Sequence, residues 1–304
     1  MAEPHTIVTA SLDPDTVAEV AALAAAAEVS DGVRALSEGF LLALGPSRPG
    51  VTHLLRYAAA GTLVGYAQVA DRSAELVVAP DVRRRGHGRA LLGAARVAGA
   101  VGIWSHGDLP PARALARTSG LVPVRTLLKM ARALGPQDQA GIPLPAGWSA
   151  TTFVSRPDLA ALTRVNAAAF AHHREQGLLT QADLAERMAQ PWFDPQGLYW
   201  LVDLDAPTSA DPAGFHWTKI EPGSRTGEVY VVGLHPDYQG RGLAGPLTHL
   251  GLHHLASSGC TQVELYVDGD NAAALATYRR AGFSVVQTHV VHGIPDAGRV
   301  GPVT

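Results

Sequence analysis

One pattern occurs twice in this chain: an apolar strand, a Pro-Asp stop, a glycine turn and a helix rich in alanine and leucine. The fuller copy spans residues 228–255, and the other spans residues 75–100. Pro80-Asp81 aligns with Pro236-Asp237, Gly86 with Gly242, Gly88 with Ala244, and further on Gly120-Leu121 with Gly282-Phe283. A pattern that recurs with its flanking elements in the same order means one module used twice. It restricts the chain to folds in which a strand feeds a tight turn and then a helix. Residues 229–234 are β-branched and aromatic, which suits a buried strand. His235-Pro236-Asp237 stops that strand, because proline has no N–H for a ladder. A helix starting behind a glycine turn offers unpaired N–H groups and a positive dipole end, which together form an anion site.

The other elements follow the same order in each half. In the first, helices are expected over 13–27, 37–44, 90–100 and 111–119, and strands over 51–58, 62–70, 75–79, 103–106 and 121–130. In the second, helices are expected over 154–172, 181–188, 243–255 and 271–280, and strands over 199–203, 213–219, 228–234, 263–267 and 283–292. The Gly-, Pro- and Gln-rich stretch 135–148 reads as a linker, so the halves are 1–138 and 139–304. The class is α/β, of the α+β kind.

Composition narrows the function. A chain of 304 residues suits two domains, and a net charge of −3 gives no general drive toward nucleic acid or anionic membrane. The single cysteine, Cys260, fits a reducing, cytoplasmic setting and sits among small residues as a buried side chain. The N-terminus lacks a basic stretch leading into an apolar run, so no signal peptide is expected, and residues 21–27 are too short to cross a bilayer. The histidines include adjacent pairs, His172-His173 and His253-His254, but no H-E-x-x-H; no metal is expected. Gly240-Arg241-Gly242-Leu243-Ala244-Gly245 satisfies the dinucleotide fingerprint, with Glu264 near the distance of a ribose carboxylate. Five residues separate its first glycine from the strand, and the other copy lacks the first and third glycines, so this reading is set aside.

Arg83-x-x-Gly86-x-Gly88, Gln239-x-x-Gly242-x-Ala244 and Asn271-x-x-Ala274-x-x-x-Tyr278-x-x-x-Gly282-Phe283 resemble the Gcn5-related N-acetyltransferases (GNAT). The resemblance covers nearly the whole chain. It implies two tandem domains, each a mixed, mostly antiparallel central sheet flanked by helices, with acetyl-CoA as co-substrate. The blocks Gly214-Phe215-His216-Trp217-Thr218-Lys219 and Gly227-Glu228-Val229-Tyr230-Val231 are similar to a tandem branch of that family. That branch acetylates the cysteinyl amine of a cysteine–glucosamine–inositol conjugate, a small thiol glycoconjugate. Acetylation of a peptide N-terminus or another small amine, or acyl-CoA binding without catalysis, stays open as an alternative.

What the resemblance implies can be placed residue by residue. In the second domain acetyl-CoA would meet Val232, Gly233 and Leu234, then Gln239, Gly240, Arg241, Gly242, Leu243, Ala244 and Gly245, then Asn271, Ala272, Ala273, Ala274, Leu275 and Ala276. The sheet would open between the strand over 228–234 and that over 263–267. In the first domain the matching positions are Leu76, Val77, Val78, Arg84, Arg85, Gly86, His87, Gly88 and Arg89. That domain is expected not to catalyse, because no tyrosine occurs in 111–119. Its arginines suit either a solvated turn or the 3′-phosphate of CoA. Glu228 is placed as the base and Tyr278 as the acid. By residue type alone the first is a solvated strand end and the second a core aromatic, just as Asn271 is a helix cap. Glu38, Glu175, Lys219, Glu228 and Tyr266 are the implied contacts of the acceptor. A monomer is expected.

Overall fold

The computed structural model describes residues 3–140, 143–172, 176–207 and 211–294. The strands are β1 (His5–Thr9), β2 (Thr52–Tyr57), β3 (Leu63–Ala70), β4 (Ser73–Val78), β5 (Gly102–Ser105), β6 (Val122–Ala133), β7 (Trp148–Thr152), β8 (Leu198–Asp203), β9 (Gly214–Ile220), β10 (Thr226–Leu234), β11 (Gln262–Asp268) and β12 (Ser284–Gly293). The helices are α1 (Pro14–Asp31), α2 (Glu38–Leu42), α3 (His87–Val97), α4 (Pro110–Thr118), α5 (Pro136–Gln139), α6 (Leu159–Ala169), α7 (Gln181–Met188), α8 (Ala244–Ser257) and α9 (Ala272–Arg280).

Two compact units result. One holds the residues up to Leu127 together with those from Thr288, and the other holds Leu128–Gln287. In the N-terminal unit the strand order is β1-β2-β3-β4-β5-β12, antiparallel except for β4 beside β5. Val20, Leu23 and Phe40 of α1 and α2 pack on Leu55, Tyr66 and Val77. Leu91, Leu92, Ala95 and Ala116 of α3 and α4 pack on the other face, against Leu54, Ala67 and Ala74. In the C-terminal unit the order is β6-β11-β10-β9-β8-β7, and β10 beside β11 is parallel. Leu162, Val165 and Leu184 of α6 and α7 meet Trp200, Phe215 and Trp217. Leu252, Leu255 and Leu275 of α8 and α9 meet Val229, Val263 and Leu265 on the opposite face.

Local chemistry sets the element ends. Asp13 caps α1 by accepting the Thr16 N–H at 2.9 Å, and Gly32 closes it with φ +68°. The helix expected over 154–172 begins only at Leu159. Pro157 disfavours helical backbone before it, and Asp158 caps the shortened helix through the Ala161 N–H at 2.8 Å. The stretch read as a linker carries structure of its own. Within it, α5 is anchored by buried Asp138, which takes the Gly135 N–H and a bidentate grip from Arg132. β7 begins at Trp148 and forms the edge of the C-terminal sheet beside β8.

α8 is locked to β9 by His216. The ring is fully buried, its Nδ1 donates to the Leu247 carbonyl at 2.9 Å, and its far edge rests against Gly251. A methyl group at 251 would collide with His216 Nε2. Gly251→Ala is therefore expected to lower stability by about 1–3 kcal/mol, the usual cost of overpacking, read as a lower midpoint in chemical denaturation. An unchanged midpoint would mean that the notch is not tight.

Candidate functional site

The site of the C-terminal unit begins where a strand pair gives out. β10 and β11 share rungs from Thr226↔Gln262 to Val229↔Leu265, and none beyond. On its other side β10 stays paired with β9 as far as Leu234↔Gly214, with a bulge between Val229 and Val231. A bulge bends its strand and increases twist. Val232, Gly233 and Leu234 are thus held by β9 while their other edge faces a gap. The N-terminal unit repeats this: β4 and β5 share only Ser73↔Gly102 and Ala74↔Ile103, while β4 stays paired with β3 to Val78. A cavity of about 740 Å³ lies there, lined among others by Leu76, Val77, Val78, Gly86 and Gly88.

The glycine turns follow. Gly240 and Gly242 have φ of +75° and +76°; in the other unit Arg84 and Gly86 have +66° and +91°. Those left-handed values explain the glycines, since a Cβ at Gly240, Gly242 or Gly86 would meet nothing within 4 Å. The backbone N–H groups of residues 240–245, and of residues 84–89, make no hydrogen bond among the described residues. They converge on the first turns of α8 and α3, so each turn is a ready anion cradle. The residue three before the glycine has a different role in both copies. Gln239 Nε2 donates to the Leu234 carbonyl and Arg83 Nε to that of Val78, each at 3.1 Å. These side chains tie the turn to the end of the strand. Leu243 and Leu275 are buried in the core, and Val77 likewise.

Glu228 is half-buried on β10, with Lys219 as its rung partner on β9 and Glu264 on β11. A Cβ on Gly227 would strike Leu255 of α8, so Glu228, one residue on, faces the opposite side. On that side Tyr230 packs at a tilt against Trp192, ring centroids 4.8 Å apart, and accepts from Arg187 Nε at 3.0 Å. Lys219, 5% exposed, pairs with Glu221 at 3.0 Å and lies 4.9 Å and 5.5 Å from the Trp192 and Tyr230 rings. Tyr266 is exposed on β11, with Lys129 Nζ 5.6 Å above its ring. The structure brings Lys219, Glu228 and Tyr266 to neighbouring strands. Glu38 lies in the N-terminal unit at the start of α2, and Glu175 lies outside the described residues. Tyr278 is buried on α9 against Phe283, and burial pushes its phenol up to about 12. Asn271 caps α9 by accepting the Ala274 N–H at 3.1 Å. Ala272 and Ala273 are exposed on its first turn, and Ala274 is half-buried against the core.

Aligning the last parallel rungs, Ala74↔Ile103 with Val229↔Leu265, makes the two units comparable. Ser73 then stands where the other unit has Glu228, Ala70 where it has Lys219, and Trp104 where it has Tyr266. Arg125 lies 5.2 Å above Trp104 as Lys129 lies above Tyr266. With the bulge residue Tyr230 left over, the ladder position of Val231 falls to Glu75. It is 1% exposed, accepts the Ser37 N–H at 2.7 Å and lies 2.9 Å from His106 Nε2. Neither the Glu75–Ser37–His106 contacts nor the Trp192–Tyr230–Arg187 wall follows from spacing along the chain. The bulge that sets Tyr230 apart from Glu228 leaves no mark in residue types. Among the described residues no group of His, Cys, Asp and Glu is arranged to hold a metal, and no helix is long and apolar enough to cross a membrane.

Residues 163–283 match the model of the Acetyltransferase (GNAT) family. The chain is 47% identical over 300 residues to a mycothiol acetyltransferase of Streptomyces coelicolor, covering 95% of each. It is 43% identical to one of Gordonia bronchialis, covering 96% of each. Among solved structures it is similar to a GCN5-related N-acetyltransferase of Sphaerobacter thermophilus, with TM-score 0.69 and 25% identity over 94% of each chain. It also shares the fold of a tandem GNAT protein from the clavulanic acid biosynthesis pathway, with TM-score 0.71 and 19% identity over 95% of this chain and 98% of that one.

Burial pushes His216 down to about 4 from the ordinary 6.5. Between those values the unfolded chain takes up a proton that the folded chain refuses, so stability falls as pH drops from 6.5 toward 4 and levels off below. His216→Asn keeps an N–H for Leu247. It is expected to remove up to about 3 kcal/mol of that pH dependence, at about 1.4 per pH unit. Denaturation midpoints of both proteins across this range check it, and equal slopes would refute it.

Proposed function

The chain belongs to the mycothiol acetyltransferases of the GNAT superfamily, and from this we infer that it transfers acetyl from acetyl-CoA to the cysteinyl amine of the cysteine–glucosamine–inositol conjugate, desacetylmycothiol. That is the last step of mycothiol biosynthesis. The observation that carries the reading is the gap between β10 and β11, with Glu228 one rung before it and free amides just past it.

The residues present fit acetyl-CoA. The free N–H groups of residues 240–245 suit a diphosphate without a dedicated lysine. The unpaired edge at Val232, Gly233 and Leu234 suits the pantetheine amides, as a sheet edge receives a peptide. Residues 271–276 flank the same end of the gap. When bound, acetyl-CoA supplies the activated thioester.

The chain supplies the rest. An α-amine has a pKa of about 7.7–8.0, so at neutral pH much of it is ammonium and cannot attack a carbonyl. Glu228 removes that proton, directly or through one water, and the freed amine takes the acetyl group as the C–S bond breaks. Tyr278 donates to the departing sulfur. Its phenol, raised to about 12, stays protonated until that moment. Lys219 and Tyr266 hold the hydroxyl-rich conjugate.

In the N-terminal unit the cavity at Leu76, Val77 and Val78 and the free amides of residues 84–89 suit a second acetyl-CoA. Arg84, Arg85 and Arg89 add charge for its phosphates. Catalysis belongs to the C-terminal unit, because Ser73 replaces the base and Ala116, on α4, falls where α9 has Tyr278.

Glu228→Gln is expected to lower kcat by about 10²–10³, with the KM for acetyl-CoA little changed. Tyr278→Phe is expected to cost about tenfold in kcat. Steady-state assays of CoA release with the conjugate check both, and a fully active Glu228→Gln enzyme would exclude Glu228 as the base.

A further inference from the structure

Glu228 has a carboxylate as its neighbour on β11. Glu228 and Glu264 are rung partners in a parallel pair, so their side chains leave the same face. Val263 and Leu265, on either side of Glu264, are buried in the core under α8 and α9, which fixes Glu264 on the opposite face. Lys129 of β6 reaches Glu264 Oε2 at 2.7 Å. A row of lysine, glutamate, glutamate and lysine therefore crosses β9, β10, β11 and β6, as Lys219, Glu228, Glu264 and Lys129. Like charges on opposed rungs weaken a sheet. Here the outer anion is pinned by Lys129, and Lys219, which faces Glu228 across the rung, also reaches Glu221.

We propose that Glu264, held by Lys129, is a positioning residue that strengthens Glu228 as the proton acceptor of the transfer step. The proposal rests on reading Glu228 as the base. An ordinary glutamate, with a pKa of about 4.3, is a weak base for an ammonium. A second negative charge within about 4–6 Å disfavours ionisation of the first, and so tightens its hold on a proton. Lys129 limits that effect by balancing Glu264 and fixes where its charge sits. The other groups on this face are Lys219 with Glu221, Tyr230 backed by Arg187 of α7, and Tyr266 and Asp268 along β11. Of these, Glu264 is the carboxylate on the rung of Glu228 itself.

Two substitutions of opposite sign test it in the full-length enzyme. The Lys129 and Glu264 side chains are 21% and 24% exposed, so neither change empties a core. The readout is the pH dependence of kcat/KM for the conjugate, whose own amine ionises alike with every variant. Glu264→Gln is expected to move the acid limb down by about half to one pH unit and to lower the plateau several-fold. Lys129→Met leaves Glu264 unbalanced and is expected to move the limb up. Limbs that stay in place, or that both move the same way, would overturn the proposal while leaving Glu228 as base. Full activity in Glu228→Gln would instead remove the reading on which it rests.

Discussion

The parting of two parallel strands after four rungs is the constraint on which the rest depends. β10 is committed to β9 along its length, and the bulge at Tyr230 turns it away from β11 beyond Val229. A ladder edge left open inside a sheet is costly unless something pairs with it. That edge leads straight into the turn where six consecutive amides also lack partners. Strand edge and turn thus offer two sets of unused backbone groups, separated by the paired residues 235–239, that suit a ligand amide-like at one end and anionic at the other. His216 serves this geometry from the opposite face, because its grip on Leu247 holds the helix whose first turn completes the cradle.

On the proposed reading, the two units separate binding from chemistry. Both have the parted strands, the left-handed turn and the free amides, and in both the residue after the Pro-Asp stop's turn ties back to the strand's last carbonyl. These are backbone features, and they tolerate exchange of Gly240 for Arg84 because only the φ value is demanded. The chemical side chains do not recur. Glu228 gives way to Ser73 and Lys219 to Ala70, while the polar face of the N-terminal unit closes around Glu75 and His106. A scaffold that keeps its cradle and loses its base suits a unit that holds a ligand without turning it over.

Much of this was readable before any coordinates. Glycine spacing identifies the turns because positive φ leaves few residue choices, and a β-branched and aromatic run identifies β10. The family match pointed at Glu228, Lys219 and Tyr266, which the sheet does bring to adjacent strands. Other features were hidden for physical reasons. The late start of α6 depends on Pro157 and the Asp158 cap competing with an alanine-rich run. β7 and α5 lie in a stretch whose composition reads as linker, since edge strands and single-turn helices need little pattern. In the linear sequence Glu264 is only a decoy for a ribose carboxylate. Its adjacency to Glu228 is a matter of register, which no linear spacing encodes.

The most direct test of the account is amide hydrogen exchange of the full-length protein with and without acetyl-CoA. If the open edge and turn receive the co-substrate, amides within residues 232–234 and 240–245 must exchange markedly more slowly when it is bound. Binding that leaves those amides untouched while protecting some other surface would contradict it.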